Sequence, residues 1–183
     1  MIVLGVDPGT NVCGYGIIEN IDNEISYLDS GFINQPHDLS LPQKLKNVYD
    51  QISTIIHKHH PDEMSIEDVF VSKNPRSTLK LGEARGVAIL AAANSDIPVF
   101  EYSPTEVKAS VTGNGRSSKI DVQKMISSIL NINSNMKSDT SDALAIAICH
   151  VNNSALYRKH GFKIRKKSTK RKRFSLNDIP TQR

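Results

Sequence analysis

Three observations predict an α/β fold on a mixed five-stranded sheet flanked by helices. The chain opens with a continuous apolar run, Ile2 to Leu4 plus Val6, suited to a strand covered on both faces. Pro8 and Gly9 then force a turn, and Gly14-Tyr15-Gly16-Ile17-Ile18 starts a return strand. After a meander of three strands, helical and strand patterns alternate, which calls for parallel strands added to an antiparallel start. The 183 residues suffice for one domain with a full core.

Taken in order, strands are predicted over Ile2–Val6 and Cys13–Glu19, joined as a hairpin, with a third over Glu24–Asn34. Ser40 can cap a helix that accepts Pro42 in its first turn. Its stripe is Leu41, Leu45, Val48, Tyr49, Ile52, Ile55 and Ile56. The helix ends near His57-Lys58-His59-His60-Pro61, where cationic residues suit the dipole better than they suggest metal. A fourth strand spans Met64–Val71, with Met64 and Ile66 on one face and Ser65 and Glu67, in mid-strand, on the other.

A long helix from Ser77 to Asn94 is rich in small residues. Mid-helix glycines cost ~1 kcal/mol each against alanine, so Gly82 and Gly86 point to close packing on the sheet or a second subunit. Pro98–Tyr102 is the fifth strand, and Ser103-Pro104-Thr105-Glu106 is a capping box with proline at the first helical position. A further helix spans Ser118–Leu130, with Ile120, Met125, Ile126, Ile129 and Leu130 expected inward. The last helix, Asp139 to Tyr157, is apolar all round from Ala143 to Cys149 and so buried.

Charge divides the chain. Residues 156–183 hold eleven of the 23 basic residues and one of the 19 acidic ones, so residues 1–155 carry a net −6. The expected division is a folded domain, 1–155, and a basic, flexible tail, 156–183. Arg158–Arg173 has ten basic residues and no acid, a pattern that suits nucleic acid. No apolar run approaches the ~18–20 residues of a membrane helix, and no basic leader precedes the first apolar run, so a cytoplasmic protein is expected. Cys13 and Cys149 lie in apolar contexts and read as buried free thiols.

The chemistry rests on carboxylates. Asp7 ends a buried strand, where a lone charge is expensive. Glu67 sits in a strand that otherwise favours apolar residues. Asp139 and Asp142, three apart, share one face at a helix start, where acids also complement the dipole. If these elements are neighbours, each like-charge pair at ~4 Å costs on the order of 4 kcal/mol. A hard divalent cation, Mg²⁺ or Mn²⁺, relieves that cost through oxygen ligands. Two such ions can activate water for phosphodiester cleavage.

Several stretches, in order, match a known family. They are Gly5-Val6-Asp7-Pro8-Gly9 with Gly14-Tyr15-Gly16, Ile66-Glu67-Asp68-Val69-Phe70, Leu79–Gly86, Phe100-Glu101-Tyr102 and Asp139–Ala145. The chain resembles the RuvC-type Holliday-junction resolvases of the RNase H-like nuclease superfamily. The resemblance implies an RNase H-like fold and paired nicking of four-way DNA junctions in recombination and repair. It makes Asp7, Glu67, Asp139 and Asp142 the catalytic, metal-binding carboxylates of a Mg²⁺-dependent endodeoxyribonuclease, with two ions per subunit and Mn²⁺ able to substitute. Some family members carry histidine at the position of Asp139. Lys119 matches a lysine that stabilises charge at the scissile phosphate, and Lys108 a second lysine nearby. Phe70 matches an aromatic that stacks on a base, with Lys73, Arg76, Lys80, Arg85 and Arg116 as further candidate DNA contacts. Implied partners are a second copy of the chain, across the small-residue helix, and a branch-migration motor of the RuvA and RuvB type.

Other readings compete. An RNase H-type nuclease on RNA–DNA hybrids shares the carboxylates, and a non-catalytic junction-binding protein shares the basic tail. Asp-Pro-Gly-Thr also resembles the phosphate loop of actin-like ATPases, but 183 residues without a repeat cannot supply their second lobe.

Overall fold

The computed structural model describes residues 1–9, 11–36, 38–68, 75–132 and 136–159, the last five by backbone alone. Phe70, Lys73 and the tail from residue 160 onward lie outside the described residues. The described elements are strands β1 (Ile2–Asp7), β2 (Val12–Ile21) and β3 (Glu24–Asn34), helix α1 (Leu41–His59), β4 (Glu63–Glu67), α2 (Pro75–Ala93), β5 (Val99–Tyr102), α3 (Pro104–Thr112), α4 (Lys119–Leu130) and α5 (Ser138–Lys159).

The sheet order is β3-β2-β1-β4-β5, with β3, β2 and β1 antiparallel and β4 and β5 added in parallel. The doubly covered first strand is therefore central. Alternation along it feeds two cores. Leu4 and Val6 pack with Ile52, Ile56 and the buried alanines Ala88, Ala91 and Ala92, so α1 and α2 cover one face. Val3 packs with Val107, Val122, Ile126 and Leu144, so α3, α4 and α5 cover the other.

Local signals set the helix starts. Ser40 with Gln43, Ser103 with Glu106, and Ser118 with Asp121 each form a reciprocal capping box before α1, α3 and α4. His60 and Asn131 close α1 and α4 in the left-handed conformation. Cys13 and Cys149 are buried free thiols, and burial pushes both up to about 12. Lys58 and His59 bond to Asp29 of β3 at 2.9 and 2.8 Å, so this end of α1 is tied to the sheet by an ion pair.

Two expectations are corrected and a third is narrowed. The described part of β4 ends at Glu67, not at Val71, so Glu67 closes the strand instead of sitting in its middle. In α4 the inward face is Val122, Ile126 and Leu130, whereas Ile120, Met125 and Ile129 are exposed. Apolar residues lie on several sides of this helix, and its neighbours α3, α5 and β3 leave Ile120, Met125 and Ile129 uncovered. In α2 the alanines pack on the core, but Gly82 and Gly86 have nothing within 4 Å of where a Cβ would stand. Those two glycines serve no contact within the described chain. Among the described residues, no helix is long and apolar enough to cross a membrane.

Candidate active site

The site begins with two glycines. Gly5 of β1 and Gly14 of β2 lie on the face covered by α5. A Cβ on Gly5 would stand 2.1 Å from the Ala143 carbonyl oxygen, and one on Gly14 would stand 2.0 Å from that of Asp139. Only bare backbone lets the helix lie this close. The glycine floor thus sets where the first turn of α5 falls, over the end of β1. Asp7 is two residues beyond Gly5 and so on the same face, and it pairs in register with Gly14. In β4, Ser65 pairs with Gly5, which puts Glu67 on this face as well.

Electrostatics report the convergence. Asp7 is pushed up to about 7, first by burial and then by the charges of Asp142, Glu67 and Asp139, with Lys119 opposing. Glu67 is raised by burial and by Asp142, while Lys119 and Lys108 pull it down. Asp142, Glu67 and Asp139 are therefore all within electrostatic reach of Asp7. The Lys119 ammonium donates to Asp142 at 2.5 Å. Burial works against its charge, but that bond and the field of Asp142, Asp7 and Asp139 outweigh it and hold the lysine above its usual range. A cleft of about 360 Å³ opens here, with Glu67, Lys108, Lys119 and Asp142 in its walls.

The donor set suits a hard divalent cation, because it is all oxygen and one bonded ammonium answers only part of its charge. As the side chains stand, no three histidine, cysteine, aspartate or glutamate groups among the described residues enclose a point. Glu67 and Asp142 line an open cleft instead, with Lys119 taking the place of a cation on Asp142.

The remaining predicted contacts spread outward. Lys108 lies in the cleft wall, and Arg76, Lys80 and Arg116 are exposed around the molecule. Arg85 turns inward. Its Nε donates to the Glu67 carbonyl at 3.1 Å, and its Nη2 lies 2.8 Å from Glu101, so its charge is engaged at the sheet edge.

Two features escaped the sequence reading. His150, fully buried on α5, faces Glu63 of β4 through Nε2 and the Tyr102 hydroxyl through Nδ1, the latter at 2.8 Å. This polar link fixes the middle of α5 to β4 and β5. Its partners are 87 and 48 residues away, so no local signal could have found it. Lys137, just before α5, lies 3.6 Å from the centre of the Phe32 ring, a cation–π contact beside Asp139.

A mixed sheet in this order, with acidic residues at the ends of the adjacent strands β1 and β4 and at the start of its last helix, defines an RNase H-like fold carrying a nuclease-type site. The family model for crossover junction endodeoxyribonuclease RuvC matches residues 3–150. A crossover junction endodeoxyribonuclease RuvC of Photorhabdus laumondii subsp. laumondii is 50% identical over 157 residues, 85% of this chain and 90% of its own. The protein of that name from Shewanella sediminis is 48% identical over 153 residues, 84% of this chain and 88% of its own. Among solved structures, T. thermophilus RuvC in complex with a Holliday junction substrate superposes with a TM-score of 0.79 at 26% identity, covering 88% of this chain and 97% of that one. The yeast mitochondrial resolvase Ydc2 shares the fold, with a TM-score of 0.62 at 18% identity, over 86% of this chain and 83% of its own. The chain belongs to the RuvC family of crossover junction endodeoxyribonucleases.

Proposed function

We propose that this chain is a divalent-metal-dependent endonuclease that resolves four-way DNA junctions by paired symmetric nicks, in recombination and repair. One observation carries the reading beyond family membership. Carboxylates from three distant segments share one field around Asp7, at a cleft walled by two lysines. Asp7, Glu67, Asp139 and Asp142 would hold the metal, Mg²⁺ with Mn²⁺ as a substitute. When bound, such ions would make water a nucleophile at neutral pH and stabilise the leaving oxygen.

The chain's own groups do the rest. Burial of Asp7 beneath α5 gives its carboxylate a strong preference for a positive partner. Lys119, half-exposed and bonded to Asp142, has its charge at the rim of the cleft, where a phosphate entering the site gains a cation. Lys108 adds a second charge on the same wall. Arg76, Lys80 and Arg116 are further proposed DNA contacts, and the family resemblance adds Lys73 and a stacking role for Phe70.

Two equivalent strands must be nicked, so two sites related by a two-fold axis are required. The face of α2 with Gly82 and Gly86 open and Leu79 and Leu90 exposed supports a second copy as its partner. A branch-migration motor of the RuvA and RuvB type is the further partner the family implies. The bacterial relatives support a place in the bacterial cytoplasm.

The deciding assay offers labelled four-way junction, linear duplex and RNA–DNA hybrid, with and without Mg²⁺. Symmetric nicks in the junction alone, and only with metal, are expected. Asp7→Asn should bind the junction normally and cut it at least ~10³-fold more slowly, because binding and metal chemistry use different groups. Cutting of hybrid instead of junction, or full-rate cutting by Asp7→Asn, overturns the reading.

A further inference from the structure

We infer that Arg85 is a positioning residue for the metal site, locking the end of β4 so that the Glu67 carboxylate stays on the cleft; the inference rests on the metal reading above. Glu67 is the last residue of its strand, and beyond it only the Asp68 amide, donating to the Tyr102 carbonyl at 2.8 Å, keeps the described chain on the sheet. On the β1 side the ladder already stops at Ile66, so Glu67 is held on the β5 side alone. Arg85 adds a hold from outside the sheet. It stands on α2, eighteen residues along the chain from Glu67, and its side chain is only 17% exposed.

The guanidinium spans three elements. Nε donates to the Glu67 carbonyl at 3.1 Å. Nη2 lies 2.8 Å from the Glu101 carboxylate on β5, and 3.9 Å from Asp68. The Nη2–Glu101 contact is close but not aligned as a hydrogen bond, so it acts as a charge pair. A rigid planar fork that grips main chain on one side and a carboxylate on the other resists twisting of the segment between them. That segment carries Glu67. Arg85 does not line the cleft that holds Lys119 and Asp142, so its action on the chemistry passes through Glu67. Residues that orient metal ligands in this way typically change metal affinity or activity ~10–100-fold when removed.

The test uses the full chain, with Arg85→Lys and the milder Glu101→Gln, which keeps the fold in hand if the first variant is unstable. Three quantities are measured: Mn²⁺ binding by electron paramagnetic resonance without DNA, junction affinity without metal, and single-turnover cleavage against metal concentration. In Arg85→Lys the Mn²⁺ concentration for half-saturation should rise ~10-fold, and Glu101→Gln should shift it in the same direction by less. Junction affinity should stay within about twofold in both, since neither group faces phosphate. A fall in junction affinity with unchanged Mn²⁺ binding would make Arg85 a phosphate contact and overturn the inference. Unchanged Mn²⁺ binding and cleavage in both variants would overturn it equally. If the unsubstituted chain itself binds no Mn²⁺, the metal reading fails first, and this inference with it.

Discussion

Asp7 shows how a single side chain carries the cost of a site. Its carboxyl is buried among three other acids and is raised from 3.8 to about 7. Between those values the folded chain holds a proton that the unfolded chain has released. The stability this group contributes is thus fully present below about pH 4 and is lost as pH rises through about 7. A shift of this size corresponds to on the order of 4 kcal/mol. Asp7→Asn removes the titration. In chelator, its urea midpoint should exceed that of the unsubstituted protein at pH 8, and the gap should shrink towards pH 5. Equal midpoints at pH 8 would contradict the electrostatic account. Asp7 was legible as a site residue because a charge at the end of a buried strand requires a partner. The grip of Arg85 was not, because nothing in its helix indicates that it reaches across to a strand end and holds main chain.

At the scale of elements, α5 makes the site by lying flat on Gly5 and Gly14. A methyl group at Gly14 would collide with the Asp139 carbonyl, which is backbone and cannot turn aside. Gly14→Ala should therefore lift the first turn of α5, costing ~1–3 kcal/mol of stability in urea melts. Cleavage should fall by at least ~10-fold, because small misplacements of a catalytic group are expensive. Retained stability with full cleavage would mean that the close approach is not needed. Element positions were readable from local chemistry: the capping box at Ser103 and Glu106 and the bounds of β3 matched expectation. The inward face of α4 was not, since Ile120 and Val122 look equally apolar until a neighbour covers one of them.

Across the whole molecule, charge is separated along the chain. An acidic body disfavours the approach of phosphates, and on the proposed reading the ten basic residues in 158–173 would offset this. Removal of residues 160–183 should weaken junction binding and reduce the slope of log affinity against log salt by ~0.9 for each phosphate that the tail had neutralised. At low salt, cleavage of bound junction should persist. An unchanged slope would leave the tail without this role. The basic run was legible as a composition and the acids as a pattern.

The sequence by itself determined the strands, the capped helix starts, the two-sided burial of the first strand and the identity of the acids. Each of these follows from short-range chemistry, in periodicity, turn residues and caps. Only the tertiary structure decided that Glu67 closes its strand, that α5 sits on bare glycine backbone above Asp7, that Lys119 bonds to Asp142 and that Arg85 grips the Glu67 carbonyl. Those relations join residues far apart in the chain. They are fixed by how closely helix and sheet can approach, a property of the packed whole and not of any one segment.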